Sequence, residues 1–464
     1  MGLRKKRVFW IILWMGFACS FLWTLGADPG DGRAGVGPNI IFILADDLGY
    51  GDLGVTGHPY ARTPHIDRLA EEGLRFNQAY MSGAWCAPSR AAIMGGVYPA
   101  RGFNINRELS PEKPSLTSLL KGAGYSTAHF GKWHLGGKNA PAPTPGQYGI
   151  DEALITNGNG PTWSPIERND PHFREKTTAR YIDLAIAFAG QNRDRPFFIN
   201  LWLYPTHSYI DPTEEMLAVY EDLDVDINDF ENPLQREFLE FVAQHGDIQK
   251  AVRAYCADIT AMDTELGRLM KALKDMNLDE RTVVIFTSDN GPGPIVNQDL
   301  AGRYVEHPTL LNNTGSAGPY RDRKLSLHDG GIHAPLILRW PGKIPAGMVN
   351  DSTVLGGVDF LPTLTNMAGV SIEGIMTDGV DLTAAVMGEV VQRGKPLFWN
   401  DRPGWSALRD EQWKAHLRRG QFKLFDLASD PSESNNLAAE FPQISAQYRA
   451  QLEAFEKALP KRGK

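Results

Sequence analysis

Asn39-Ile40-Ile41-Phe42-Ile43-Leu44-Ala45 runs without a charge into Asp46-Asp47-Leu48-Gly49-Tyr50-Gly51-Asp52. An isoleucine-rich run that does not alternate with polar residues is the pattern of a strand buried on both faces, as in a parallel sheet. Its abrupt end means that this strand delivers two adjacent carboxylates to one edge of the sheet.

The same arrangement recurs three times. Residues 126–130 run into Gly131-Lys132-Trp133-His134-Leu135-Gly136, residues 196–203 into Tyr204-Pro205-Thr206-His207, and residues 282–288 into Asp289-Asn290-Gly291. Between them, residues 63–73, 115–124, 177–190 and 248–277 carry apolar positions at helical spacing. Alternating strands and helices predict an α/β fold, a large mostly parallel (mixed) sheet sandwiched by helices, whose ligands bind beyond the carboxyl ends of the strands. The four polar exits are then expected to converge.

The pattern changes near Gly394. Leu397-Phe398-Trp399, Ser406-Ala407-Leu408-Arg409, Trp413-Lys414 and Lys423-Leu424-Phe425-Asp426-Leu427 are strand-sized pieces, followed by a helical pattern over residues 442–458. They predict a smaller C-terminal antiparallel sheet with a helix. At the other end, Arg4, Lys5, Lys6 and Arg7 precede an apolar run over residues 8–25 that ends in Gly26 and Ala27, the layout of a secretory signal and also near the length of a membrane anchor. The expected layout is a signal peptide or anchor over 1–27, a glycine-rich linker over 28–37, a catalytic domain over 38–393 and a C-terminal subdomain over 394–464. The globular part is expected to be exported, to the periplasm or the cell exterior, and to meet a membrane only if the first segment is retained.

Removing residues 1–27 takes away four positive charges and no negative ones, so the net charge of -8 becomes -12. A body of that charge has no general attraction for nucleic acid, and an anionic substrate must be captured by a local cluster. Of the three cysteines, Cys19 lies in the first segment, leaving Cys86 and Cys256. A lone disulfide between them and two unpaired thiols are both open, with Cys256 in a helical pattern that suits a buried free thiol.

Asp46 and Asp47 with Asp289 and Asn290 form an all-oxygen set from two strand exits, which suits a hard divalent cation, Ca2+ before Mg2+, and argues against zinc. Lys132 and His134 share an exit and, if the segment is extended, face the same side. His207 adds a second imidazole. Arg321-Asp322-Arg323-Lys324 is a basic cluster that can offer Lys324 to an anion. Cys86-Ala87-Pro88-Ser89-Arg90 places a thiol four residues before a cation, with a helix expected to start near Pro88 or Ser89. Such a collection matches transfer of a tetrahedral anion, which needs charge neutralisation, a nucleophile and a protonated leaving oxygen.

Taken in order, these blocks resemble the type I sulfatases of the alkaline-phosphatase-like superfamily. Cys86-Ala87-Pro88-Ser89-Arg90 resembles the signature Cys-x-Pro-Ser-Arg, and residues 124–136 resemble the second signature. Leu44-Ala45-Asp46-Asp47-Leu48-Gly49 and Ser288-Asp289-Asn290-Gly291 resemble the metal-binding blocks. The resemblance continues to Phe425-Asp426-Leu427, Asp430-Pro431 and Asn435-Asn436-Leu437.

The resemblance implies that Cys86 is converted after translation to formylglycine by a separate maturation enzyme. It implies a Ca2+ held by Asp46, Asp47, Asp289 and Asn290 and touched by residue 86. Arg90 and Lys132 are expected at the nucleophile, Lys324 and His207 at the sulfate and leaving oxygen, and His134 as a base. Three departures stand out: Met94-Gly95-Gly96 replaces a common Leu-Thr-Gly, Thr206 replaces a proline before His207, and Asp329 replaces a glutamate.

The expected substrate is a sulfated sugar or glycan, with Trp163, Trp202 and Tyr204 as stacking aromatics and the loops over 137–173 and 293–321 as selectors. Thr206-His207-Ser208 resembles the galactosamine-6-sulfatase-like branch. The competing readings are a phosphate or phosphonate monoester hydrolase of the same superfamily and a non-catalytic protein that binds sulfated glycans. A thiolate phosphatase is disfavoured, since its loop needs an arginine six residues after the cysteine and Arg90 is four after Cys86.

Overall fold

Asn39–Ala45 is the strand β1, near the middle of a large mixed sheet in a computed structural model that describes residues 37–102, 109–135, 143–155, 173–293, 311–402 and 404–460. In chain order the other strands are β2 (Leu74–Phe76), β3 (Ala79–Tyr80), β4 (Ser126–Gly131), β5 (Glu152–Leu154), β6 (Phe197–Trp202), β7 (Thr282–Ser288), β8 (Leu336–Arg339), β9 (Met348–Asn350) and β10 (Leu355–Gly356). Among the described residues the large sheet runs β5-β4-β6-β1-β7-β8-β2-β9. Every pairing in it is parallel except those of β8 with its two neighbours, and β3 pairs with β10 separately.

Register decides where the polar exits lie. Leu44 pairs with Trp202 on one side and Thr287 on the other, while Trp202 also pairs with Gly131. Parallel strands in this register end level with one another, so the residues that follow β1, β4, β6 and β7 emerge at one edge. Gly131 is required there: its φ is +119, and a Cβ on it would lie 1.8 Å from the Trp202 carbonyl oxygen.

Both faces of β1 are buried, as the lack of alternation implies. Ile41, Ile43 and Ala45 pack with the helices Pro64–Glu71, Phe173–Gln191 and Ile248–Asp275. Ile40, Phe42 and Leu44 pack with Cys86–Gly95, Leu116–Gly122 and Phe360–Met367. Each such side chain contributes about 1.5–3 kcal/mol when fully buried. Helix Ile248–Asp275 turns Val252, Tyr255, Cys256, Ile259, Met262, Leu266 and Leu269 inward at three- and four-residue steps and begins at Asp247, whose carboxylate accepts the Lys250 N–H.

The chain then builds an antiparallel sheet of β11 (Leu397–Arg402), β12 (Trp405–Asp410), β13 (Trp413–Arg418) and β14 (Gln421–Asp426), covered by helix Pro442–Ala458 through Tyr448, Leu452 and Phe455. Leu397, Trp399 and Trp405 join a cluster with Tyr80, Ala84, Ala92 and Tyr98, which seats this sheet beside the Cys86–Gly95 helix.

Three expectations change. The helix expected from Pro88 or Ser89 begins at Cys86, because Trp85 is extended and Pro88 falls in the first turn, where a missing N–H costs nothing. Trp202 and Tyr204 are core residues, 0% and 1% exposed, so neither offers a ring face to a sugar. Cys86 and Cys256 are both free, buried thiols, which removes the disulfide alternative. The N-terminal segment, Gly136, Trp163 and most of the two selector loops lie outside the described residues. No described helix is long and apolar enough to cross a membrane.

Candidate active site

Asp46 and Asp47 leave β1 in different directions because Asp47 is left-handed, with φ 63, a conformation that aspartate tolerates better than most residues. Asp289 Oδ1 accepts the Asp47 N–H at 3.2 Å, so the β7 exit holds this turn. The β6 exit is tied in by Asp46 N to Pro205 O at 2.9 Å and Thr206 N to Asp46 O at 2.7 Å. Thr206 Oγ1 also reaches Asp47 O at 3.1 Å and Tyr255 OH at 3.0 Å, and Tyr255 donates to the buried Asp52 at 2.6 Å. Thr206, Tyr255 and Asp52 are a supporting chain that sequence reasoning missed. Tyr255 sits at an ordinary core position of its helix, and nothing local signals its partner.

Cys86 and Arg90 lie one helical turn apart and face the same way. Arg90 is wholly buried. Its Nε and one terminal nitrogen bind Asp289 Oδ2 at 2.8 and 2.6 Å, and its other terminal nitrogen donates to the Lys132 carbonyl at 2.6 Å. The guanidinium lies 5.1 Å from the Trp202 ring centre, and Trp202 stacks on Trp133, so these tryptophans form the floor under the cation.

Lys132 Nζ binds Asp46 Oδ2 at 2.5 Å. His134 is buried at the same exit, but its φ of 62 turns the chain, so Lys132 and His134 are placed by a turn and not by the alternation of an extended segment. His207 Nε2 faces Asp47 Oδ2 at 3.7 Å, while Nδ1 lies 2.6 Å from the Ser208 carbonyl. A carbonyl only accepts, so Nδ1 carries the proton and Nε2 turns its lone pair inward.

The basic cluster splits three ways. Lys324 Nζ reaches both Asp47 oxygens at 2.6 Å and Cys86 Sγ at 3.2 Å. Arg323 is buried behind it, donating to Gln235, Gly293 and Gly315. Arg321 turns away to the Glu433 carbonyl. All ten sequence-predicted residues, Asp46, Asp47, Cys86, Arg90, Lys132, His134, His207, Asp289, Asn290 and Lys324, thus gather at one sheet edge.

Three carboxylates are balanced here by Arg90, Lys132 and Lys324. Burial raises the Asp46 carboxyl, but the cations Lys132, Arg90 and Lys324 outweigh it and hold it well below the usual range. Burial lowers His207 to about 3 and, with Lys132 and Arg90, holds His134 well below its ordinary value, so both imidazoles are neutral. Burial pushes the Cys86 thiol up to about 12, against the pull of Lys132 and Lys324.

The donor set fits a hard divalent cation. Ligand atoms of Asp46, Asp47, Cys86 and His207 lie within 4.8 Å of one another. Asp46 Oδ1 and Asn290 Oδ1 are buried oxygens that accept no hydrogen bond among the described residues. Asn290 instead donates from Nδ2 to Asp47 Oδ1 at 2.8 Å. Oxygen donors of this kind favour Ca2+ or Mg2+.

Comparison with known proteins gives a consistent picture. A family model described as Sulfatase matches residues 38–370, and one described as N-sulphoglucosamine sulphohydrolase, C-terminal, matches residues 318–458. The chain is 28% identical to arylsulfatase A of Homo sapiens, over 93% of its own length and 84% of that protein. It is 30% identical to N-acetylgalactosamine-6-sulfatase of Canis lupus familiaris, over 82% of its own length and 72% of that protein. Among solved structures, Ps i-CgsB in complex with k-i-k-neocarrahexaose superposes with a TM-score of 0.73 at 25% identity, covering 90% of this chain and 92% of that one.

Proposed function

The chain belongs to the sulfatase family of sulfuric ester hydrolases, and from that premise we propose that it removes sulfate from a sulfated sugar or glycan at a site centred on residue 86. The observation that carries the reading is the level convergence of the four strand exits on Cys86. It gathers three cations, three carboxylates and two neutral imidazoles at one sheet edge with Cys86.

Cys86 is the precursor of formylglycine, whose hydrate supplies an oxygen nucleophile, and Ca2+ supplies positive charge for the developing negative oxygens. Asp46, Asp47, Asp289 and Asn290, with residue 86, are the residues that would hold that ion. Arg90, immobilised by Asp289 and the Lys132 carbonyl, holds the nucleophilic side chain without needing to reorganise. Lys132 balances the charge of Asp46. Lys324 and His207 face the sulfate group and the leaving oxygen, and Lys324, the one of the two that carries a proton into the pocket, delivers the proton that oxygen needs to depart. His134, kept neutral, accepts a proton on the nucleophile side so that inorganic sulfate is released.

The sugar substrate rests on two supports: the named activity of the N-acetylgalactosamine-6-sulfatase relative, and a fold neighbour solved with an oligosaccharide. Export fits the basic and apolar N-terminal segment, and conversion of Cys86 requires a formylglycine-generating partner. The test pairs mass spectrometry of the Cys86 peptide with sulfate release from sulfated mono- and oligosaccharides, set against an aryl phosphate. Conversion together with faster sulfate release supports the reading; a large excess of phosphate release overturns it.

A further inference from the structure

Lys324 sits in a segment without long regular structure, yet its ammonium must be held within bonding distance of Asp47 and Cys86. On the front, the segment is pinned by three backbone bonds: Lys324 N to Pro292 O at 3.0 Å, Leu325 N to Ala84 O at 2.7 Å, and Gly291 N to Gly331 O at 3.1 Å. The approach is so close that a Cβ on Gly291 would lie 1.8 Å from the Gly330 carbonyl oxygen. These bonds join Lys324 to the β7 exit and to the chain just before Cys86.

Behind the segment stands Glu433, in the loop between β14 and the last helix, with φ 50 and its side chain fully buried. Glu433 Oε2 accepts the Asp329 N–H at 2.7 Å. Oε1 lies 2.7 Å from His416 Nε2 and 3.1 Å from His328 Nδ1. The Glu433 carbonyl accepts from Arg321 at 3.0 Å. Lys414 of β13 pairs with Asp329 Oδ1, whose other oxygen takes the Tyr80 hydroxyl at 2.9 Å. Glu433 therefore meets the Lys324 segment at Arg321 through its backbone carbonyl, and through its carboxylate it bonds the Asp329 N–H and lies against His328.

His328, His416 and Glu433 have the spacing of a metal cluster. Hydrogen bonding argues for another role. Trp405 Nε1, which can only donate, reaches His416 Nδ1 at 2.9 Å. In the neutral ring the proton must then be on Nε2, where it is donated to Glu433, and that nitrogen has no lone pair for a metal.

We propose that Glu433 is a positioning residue for Lys324, a buried lock through which the C-terminal sheet fixes the lysine against Asp47 and residue 86. The role of Lys324 rests on the sulfatase reading; the lock itself does not. Misplacing a reacting group by about 1 Å is enough to cost a factor of about 100 in rate.

Amide hydrogen exchange on the full protein reads the lock, and hydrolysis of an aryl sulfate reads its consequence. Glu433→Ala is expected to speed exchange at Lys324 and Leu325 by about tenfold or more while β1 and β7 keep wild-type rates, and to lower kcat/KM by a similar factor. Glu433→Gln, which keeps a carbonyl acceptor for the Asp329 N–H but turns an amide N–H toward the His416 Nε2 proton, is expected to give a smaller shift of the same sign and to recover part of the activity. If Glu433→Ala does not fold, the exchange shift in Glu433→Gln decides. Wild-type exchange at Lys324 and Leu325 overturns the lock, as does acceleration spread evenly through β1 and β7. Absence of sulfate release by the wild-type protein would overturn only the sulfatase reading, because exchange is measured without turnover.

Discussion

Arg90 binds a single oxygen of Asp289 through two nitrogens, at 2.8 and 2.6 Å, which leaves the other Asp289 oxygen free to hold the Asp47 N–H at 3.2 Å. The pair is wholly buried, so truncating the arginine strands a carboxylate in the core. Arg90→Ala is expected to lower the unfolding free energy by about 3–5 kcal/mol and to abolish turnover. Arg90→Lys is also expected to be impaired, because an ammonium cannot reproduce the fork and also reach the Lys132 carbonyl. Urea unfolding measures both, and an Arg90→Ala protein within about 1 kcal/mol of wild type would contradict the pairing.

Cys86 packs at the start of its helix, and its side chain is the atom around which the cations gather. Cys86→Ala removes the precursor of the nucleophile while changing little volume, so activity should vanish with a loss of about 1–2 kcal/mol in stability at most. Circular dichroism melting beside a sulfate-release assay checks this. Appreciable residual turnover would remove residue 86 from the mechanism.

Among the described residues, Asn290 Oδ1 is a buried oxygen without a hydrogen bond, on a side chain that bonds Asp47 through Nδ2. If that oxygen is a metal ligand, Ca2+ should raise the melting temperature relative to a chelated sample, the stabilisation reaching about 2.7 kcal/mol at a hundredfold excess over the dissociation constant. Asn290→Ala should shrink the increment without breaking a charge pair. An equal Ca2+ response in the variant and the wild type would dismiss Asn290 from the metal set.

His58 lies away from this site and gives a clean pH prediction. Its Nδ1 accepts the N–H groups of Tyr60 and Ala61 at 3.1 and 2.9 Å, and burial lowers its pKa from 6.5 to about 3. The unfolded chain binds the proton more readily than the folded one. The resulting stability is fully present above about pH 6.5 and is lost as pH falls toward about 3, at up to about 1.4 kcal/mol per pH unit. His58→Asn should therefore flatten the stability profile between about pH 6 and 4. A variant with the wild-type slope over that window would refute the assignment.

The legible parts of the molecule share one property: their signal is local. β1 and β7 were readable to the residue because both faces are covered and the runs do not alternate, and the terminal helix because Pro442 opens it. The gathering of the ten candidate residues at one sheet edge was legible because each follows a strand or sits in a short motif. The apparent sugar platform of Trp202 and Tyr204 was misread, since composition cannot tell an aromatic that lines a cleft from one that lies under it.

Sequence by itself determined the strand-and-helix alternation, the acidic and basic exits, and the family to which the motifs point. Only the tertiary structure decided that Leu44, Trp202, Gly131 and Thr287 stand level, so that residues far apart in the chain meet around Cys86. It also decided that Trp202 supports Arg90 and that Glu433 reaches the Lys324 segment. The physical reason is the same in each case: strand register and loop packing are set by cross-chain hydrogen bonds and burial, and no window of neighbouring residues carries that information.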